Sequence, residues 1–205
     1  MNIIVDPNTY DKTIAFNDAK ILVTHFLNVN GLDQPSEIRD TSDLKVRRHR
    51  RLKVDYGFYE TMVQRVNVNL KRSRSPVKKP GFQWSYTGSK SDLTAPGILC
   101  HEIGHHVHTL VGYQYGRNDA SKLRSMMDLD SEQKVSSYEP NPFETFAEAM
   151  RLFILNPSLL REGRPRRYAM LTQKLSLVPV VDVHWREVLI NAHPKMIAAI
   201  ERWMR

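Results

Sequence analysis

The sequence contains a single cysteine, Cys100, among its 205 residues. One thiol cannot form a disulfide within the chain, so a disulfide-stapled secreted scaffold is excluded. No apolar run approaches the ~18 residues that span a bilayer, and we expect no membrane segment. The first residues, MNIIVDPNTY, have neither a basic stretch nor a long apolar core, so we expect no signal peptide. The expected location is the cytoplasm or a virion.

The composition indicates one soluble globular domain. Apolar residues make up 41% of the chain, which is enough for a hydrophobic core, and charged residues make up 25%. The length suits one domain, and we find no internal repeat or linker. We therefore predict a single domain over residues 1–205, with an N-terminal helix and sheet in 1–93 and a helical part in 94–205.

The net charge of +8 is concentrated in three basic clusters. They are RRHRRLK at 47–53, KRSRSPVKK at 71–79 and REGRPRR at 161–167. Such clusters can bind an acidic partner or a nucleic-acid backbone. More often they are solvated loops and strand edges, and no nucleic-acid-binding motif accompanies them here. Nucleic-acid binding is therefore a secondary hypothesis.

The N-terminal half predicts one helix followed by a small sheet. Residues 9–29 carry apolar side chains at helical spacing, and residues 32–43 are polar enough to indicate a loop. Strand candidates follow at 52–60, 62–70 and 81–88, which indicates a small, mostly antiparallel sheet. The predicted apolar face of the helix consists of Ile14, Ile21, Leu22, His25, Phe26 and Val29, with His25 expected as a core histidine.

The C-terminal half predicts three helices. The first begins behind Thr94, a plausible cap, and Gly112 can end it. The second covers 142–155, because Asn141 can cap it and a proline follows at the first helical position. The tail at 194–205 has apolar residues on one face. Together with the sheet, these helices predict an α+β fold.

The segment His101-Glu102-Ile103-Gly104-His105 fits the pattern H-E-x-x-H. Residues four apart lie on one face of a helix, so both imidazoles can reach one ion, and neutral imidazole is a good zinc ligand. Glu102 lies beside that face, where its carboxylate can take a proton from a metal-bound water. The motif therefore predicts two zinc ligands and a general base.

A catalytic zinc site needs a third protein ligand and an open position. One class of such sites places a glycine and a histidine downstream, but His108 and Val111 occupy those positions here. The predicted helix at 142–155 instead offers Glu144 and Glu148, four residues apart on one face. One can bind the metal while the other orients a ligand imidazole, and helical periodicity alone does not choose between them.

Three neighbours of the motif have simpler interpretations. His108 shares the ligand face one turn further along, and we expect it to be buried and hydrogen-bonded. His106 points elsewhere and should be structural. Cys100 should pack in the core, with a thiolate on zinc as the alternative.

Two segments resemble the gluzincin branch of zinc metallopeptidases, in particular the group of the anthrax lethal factor catalytic domain and related phage-encoded metallopeptidases. The segments are HEIGHHV at 101–107 and SSYEPNPFETFAEAMRLF at 136–153. The second is the more diagnostic, because E-x-F-A-E-A with an upstream tyrosine is a long match. The resemblance implies a zincin-like domain in a phage or its bacterial host cell.

Specific roles follow from this resemblance. It implies that Glu144 is the third zinc ligand, that Glu148 orients a ligand imidazole, and that Tyr138 stabilises the oxyanion. It also implies a zinc metalloendopeptidase in which Glu102 activates a zinc-bound water. An extended peptide substrate could pair with a strand edge around Trp84 and Tyr86, although ordinary strand packing explains these aromatics equally well.

Two other functional classes remain open from the sequence. The first is a catalytically idle zincin-like protein that serves as a virion or partner-binding component. The second is a nucleic-acid-associated protein with a structural zinc. A structural site is usually closed by four ligands, often cysteines, and the single cysteine argues against it.

Overall fold

The computed structural model describes residues 12–43, 56–74, 92–114, 132–136, 138–188 and 194–205. Within these residues the fold is a mixture of helices and one three-stranded sheet, so the predicted α+β class is confirmed. No helix in this part of the chain is long and apolar enough to cross a membrane. The elements are α1 (Lys12–Val29), β1 (Glu37–Asp40), β2 (Gly57–Glu60), β3 (Arg65–Val68), α2 (Ala95–Gln114), α3 (Pro142–Leu155), α4 (Pro157–Gly163), α5 (Pro165–Ala169), a π-helical turn (Met170–Lys174), α6 (Trp185–Val188) and α7 (Pro194–Met204).

The sheet has the strand order β1-β3-β2. Strand β3 pairs antiparallel with β2 but parallel with β1, so the sheet is mixed rather than mostly antiparallel. The predicted loop at 32–43 is also wrong in part, because it contains β1. The sequence of β1 has no apolar alternation, and the strand is held by its backbone pairing and by an ion pair between Arg65 and Glu37 at 2.7 Å. The strand candidate at 81–88 lies outside the described residues.

Helix α1 buries a different face from the one predicted. Leu22 and Phe26 are fully buried as expected, but Ile14, Ile21 and Val29 are about half exposed. His25 is exposed as well, so its assignment as a core histidine is wrong. The buried face is centred on the stripe Ala15, Phe16, Ala19, Leu22, Val23, Phe26 and Leu27.

Helices α2 and α3 form the centre of the fold and pack against each other. Thr94 caps α2 as predicted, with its hydroxyl accepting the Gly97 N–H at 3.2 Å. The helix continues past Gly112 to Gln114, so the predicted end is wrong, because Gly112 lacks the positive φ with which a glycine ends a helix. Helix α3 has the predicted bounds, and the Asn141 side chain accepts two N–H groups of its first turn at 3.0 Å.

Among the C-terminal elements, α4 and α5 pack against α3, and α7 packs against α4. Asn156 ends α3 and caps α4, and α5 begins directly after Arg164. Helix α7 buries Ile200 and Trp203, which lie three residues apart on one face, in line with the apolar face predicted for this tail. Its described side chains therefore pack as the sequence pattern indicates.

Candidate metal centre

Three side chains from α2 and α3 converge on one point. His101 and His105 lie one turn apart on α2, and their ring centroids are 4.9 Å apart. Their Nε2 atoms lie 3.0 Å and 3.5 Å from Glu144 Oε2 on α3. The candidate ligand atoms of the three residues all lie within 4.8 Å of one another. One divalent ion with bonds of about 2.0–2.2 Å fits this donor set after small side-chain shifts.

The two carboxylates of α3 have different surroundings. Glu144 directs one oxygen at both imidazoles, whereas Glu148 accepts a hydrogen bond from the other ring nitrogen of His101, Nδ1, at 2.8 Å. The Glu148 side chain is 1% exposed, and Arg151 donates to both of its oxygens. Glu148 is therefore committed to protein groups, and Glu144 is the carboxylate free to bind a metal together with the imidazoles.

The site attracts positive charge. Burial lowers the pKa of His101, but hydrogen bonds to Glu144 and Glu148 outweigh it and raise that pKa to about 10. Burial raises the pKa of Glu144, but hydrogen bonds from His101 and His105 lower it to about 2. The two carboxylates that raise the pKa of His101 would also favour a cation held by the same residues.

Glycine at position 104 lets α2 and α3 approach closely. A Cβ atom added to Gly104 would lie 2.6 Å from Ala147 Cα and 3.0 Å from Ala147 O. These neighbours are backbone atoms, which cannot move without shifting the helix. The contact lies between the two histidines along α2, so it sets how near the imidazoles come to the carboxylates.

We expect Gly104→Ala to weaken zinc binding and to destabilise the fold. The added methyl group must push the helices apart, and overpacking of this kind typically costs about 1–3 kcal/mol. Chelator competition and thermal unfolding would measure the two effects. Gly112→Ala is the matched control on the same helix, because a Cβ there meets nothing within 4 Å. Equal zinc affinity in both variants would contradict the role of this contact.

A cavity of about 1160 Å³ opens beside the three converging side chains. Glu102 lines it and is largely buried, with the backbone of β2 running past it. A Cβ on Gly57 would come within 3.0 Å of Glu102 Oε1. The carboxylate of Glu102 is thereby placed in the same cavity as the histidines that flank it in sequence.

Tyr138 enters the cavity from the segment before α3. Its ring lies 5.8 Å from the His101 ring, and the side chain is 53% exposed. The next residue, Glu139, is buried and accepts hydrogen bonds from the backbone N–H groups of Val135 and Ser136. Arg167 on α5 pairs with Glu139 at 3.1 Å. This ion pair, which anchors the tyrosine segment, has no signature in the local sequence.

The other residues near the motif have structural surroundings. His106 is buried, with Nδ1 3.1 Å from the Tyr59 hydroxyl and Nε2 2.8 Å from the Asp33 carbonyl, as expected for a structural histidine. Cys100 is fully buried, and burial raises the pKa of its thiol.

His108 is buried as predicted, but its hydrogen bond is not found. Its ring packs edge-on against Phe143 and Phe146, at centroid distances of 5.0 Å and 5.6 Å. Among the described residues it has no hydrogen-bond partner, which corrects the expectation. Burial, and then the charge of His105, lower the pKa of His108 to about 4.

The described part of the basic clusters is partly buried. Arg164 and Arg167 from the cluster at 161–167 are buried and hydrogen-bonded to groups within the fold. The cluster at 47–53 lies outside the described residues, as do Trp84 and Tyr86.

Asp92, just before α2, is a buried carboxyl with one unsatisfied oxygen. Oδ1 accepts the Thr94 N–H at 2.9 Å, while Oδ2 has no hydrogen-bond partner among the described residues. Burial raises the pKa of Asp92 to about 6, although the charge of Arg151 opposes the shift. Ionisation of Asp92 is therefore more costly in the folded protein than in the unfolded chain.

We expect Asp92→Asn to stabilise the protein above pH 6 and to have little effect below pH 4. Because the folded pKa lies above the ordinary 3.8, the stability contributed by the neutral carboxyl is lost as pH rises through about 6. Asparagine stays neutral and keeps an oxygen for Thr94, so the gain above pH 6 can reach about 3 kcal/mol. Urea unfolding of both proteins from pH 4 to pH 8 would test this, and a pH-independent difference would contradict it.

Comparison with known proteins identifies no relative. No family model, curated protein or solved structure matches this chain. What the chain does is therefore inferred from the chemistry of the site.

Proposed function

We propose that this chain is a zinc-dependent endopeptidase with a zincin-like catalytic domain. The observation that carries the proposal is the convergence of His101, His105 and Glu144 beside Glu102 in one open cavity. Two imidazoles and one carboxylate are the ligand set of many catalytic zinc sites, which keep a further position open. A structural zinc site would use four protein ligands, and the chain's one cysteine is buried away in the core.

The residues around the site have complementary roles in this proposal. His101, His105 and Glu144 would hold the zinc, which when bound would polarise a carbonyl and acidify a water molecule. Glu102 accepts the proton of the attacking water and passes it to the leaving amine. The Tyr138 hydroxyl donates a hydrogen bond to the oxyanion that develops on the substrate.

The form of the cavity supports a peptide substrate. Strand β2 lines it through Gly57, Phe58 and Tyr59, and among the described strands β2 has only β3 as a neighbour. An extended peptide can bind along a strand that lines such a cavity, through backbone hydrogen bonds. We therefore propose β2 as a substrate-binding edge, whereas the sequence pointed to the segment around Trp84 and Tyr86.

Metal analysis together with a cleavage assay tests the proposal. Protein purified without chelator should contain about one zinc per chain, cleave a peptide library or casein, lose activity with chelator and regain it with zinc. A zinc content near zero would overturn the metal site. One zinc per chain with no cleavage of any peptide would instead favour the idle, partner-binding alternative.

We expect Tyr138→Phe to keep zinc affinity and to lower kcat by roughly 10- to 1,000-fold, as for loss of an oxyanion donor. The hydroxyl is the only group removed, and the ring can keep its place beside His101. Tyr168→Phe, on α5 and packed against Phe153, controls for the loss of a tyrosine hydroxyl elsewhere. Steady-state kinetics of both variants measure the effect on kcat. An unchanged kcat in Tyr138→Phe would mean that Tyr138 contributes to packing and not to catalysis.

A further inference from the structure

Helix α3 carries a fully buried arginine beside the candidate metal centre. Arg151 is 0% exposed and lies three residues after Glu148, whose side chain is 1% exposed. Its Nε donates to Glu148 Oε1 at 3.2 Å and its Nη2 to Oε2 at 2.9 Å. Removing both charges from water is costly, so a buried pair of this kind is weak evidence for stability and calls for another role.

The second contact of Glu148 suggests that role. Oε1, the oxygen bonded to Arg151 Nε, also accepts the hydrogen bond from His101 Nδ1 at 2.8 Å. The two parallel bonds of the guanidinium fix the plane of the carboxylate, and the carboxylate in turn fixes the ring of His101. The other nitrogen of that ring, Nε2, then points at Glu144 Oε2, 3.0 Å away.

We propose that Arg151 is a positioning residue for the metal centre, acting through Glu148 on His101. This role rests on the proposed metal site and adds to it a residue that touches none of the candidate ligands directly. The planar guanidinium donates to both oxygens of Glu148 and so holds the carboxylate in one orientation. A positive charge without this paired geometry does not fix that orientation. Lysine at this position would keep the positive charge but would lose the bidentate geometry.

The fold provides a matched control at a distance from the metal ligands. Arg167 is also buried, 1% exposed, and pairs with Glu139, whose side chain is 1% exposed. Its Nη1 lies 3.2 Å and 3.1 Å from the two Glu139 oxygens. Glu139 bonds to backbone N–H groups rather than to a histidine. Arg167→Lys therefore disturbs a buried arginine–glutamate pair without touching the residues that would hold zinc.

The experiment compares Arg151→Lys and Arg167→Lys in the full chain. Zinc affinity is measured by chelator competition, and ligand geometry by the visible absorption of the cobalt(II)-substituted protein. We expect Arg151→Lys to weaken zinc binding about tenfold, at the low end of the ~10–100-fold typical of groups that support a ligand, and to shift the cobalt bands. Arg167→Lys should match wild type in zinc affinity, because it leaves Glu148 and His101 in place, even though both variants lose unfolding stability.

The remaining outcomes separate the inference from the proposed function. Wild-type zinc affinity and cobalt bands in Arg151→Lys would overturn the inference, as would equal changes in both lysine variants. A wild-type chain that binds neither zinc nor cobalt would overturn the metal site itself. If Arg151→Lys does not fold, the neutral pair Glu148→Gln with Arg151→Met replaces it. Its glutamine can still accept from His101, so wild-type metal binding in this double variant would show that the fork is dispensable.

Discussion

Glu144→Ala should abolish tight zinc binding, whereas Glu148→Ala should only weaken it. Glu144 directs one oxygen at the Nε2 atoms of both His101 and His105, so its loss leaves two protein ligands. We expect a fall in affinity greater than ~100-fold, beyond the ~10–100-fold typical of a residue that merely orients a ligand. That smaller range is expected for Glu148→Ala, because its carboxylate contacts His101 Nδ1 and not the face that would receive the metal.

Stability should separate the two variants in the opposite direction. Glu148→Ala removes the carboxylate that pairs with the buried Arg151, and breaking a buried pair typically costs about 3–5 kcal/mol. Glu144 is more exposed, and its loss should cost about 1–3 kcal/mol for hydrogen bonds left unmade. Zinc titration by chelator competition and urea unfolding of the metal-free proteins measure both quantities. If Glu148→Ala lost the metal and Glu144→Ala kept it, the two assignments would be reversed.

Glu102→Gln should retain zinc and lose hydrolysis by at least the ~10²-fold typical of a removed general base. Glutamine fills the same space beside Gly57 and Ile98 but cannot accept the proton of the attacking water. The histidines on either side keep their ligand geometry, because the backbone of α2 is unchanged. The expected fall is therefore in kcat, with zinc content still near one per chain.

The control for this substitution is Glu201→Gln on α7. Glu201 pairs with Arg186 at 3.1 Å and lies outside the residues that line the cavity, so its variant should match wild type in zinc content and activity. Hydrolysis is measured on the same peptide for all three proteins after equal zinc loading. Activity of Glu102→Gln within a few-fold of wild type would remove Glu102 from the proposed chemistry.

Local rules predicted the elements that carry the candidate ligands. Asn141 and the proline after it give α3 its start, and the helix ends at Leu155 as its sequence pattern indicates. Helical spacing likewise placed His101 and His105 on one face of α2. These features depend on residues a few positions apart, and such patterns can be recognised without knowing the fold.

The choice between Glu144 and Glu148 needed the fold. Both lie on one face of α3, and only the contact with α2 shows that Glu148 meets Nδ1 of His101 while Glu144 meets Nε2. The same contact explains why a glycine occupies position 104, where an added Cβ would meet the backbone of α3. The motif H-E-x-x-H allows any residue at that position. The roles of the two glutamates and the need for glycine at position 104 both depend on the distance between α2 and α3. Helical periodicity does not give that distance.

Buried charges and the short strand β1 escaped prediction for a related reason. Arginines are mostly exposed in folded proteins. The sequence therefore does not indicate that Arg151, Arg164 and Arg167 are buried or which groups they contact. Arg164 and Arg167 bond to groups that are distant in sequence, and Arg151 pairs with Glu148 on the buried side of its own helix. Strand β1 has no apolar face of its own and exists because β3 lies beside it.

The C-terminal helices hold the segment that carries Tyr138 in place. Trp203 Nε1 donates to the carbonyl of Val135 at 3.1 Å, and Arg167 pairs with Glu139. Truncation after α3 would keep every group that could touch the metal but would remove both of these anchors. The Glu139 carboxylate would lose its counter-charge, and nothing from the C-terminal side would hold Tyr138 beside the histidines. A fragment that keeps both anchors must therefore extend through Trp203, about sixty residues beyond Glu144.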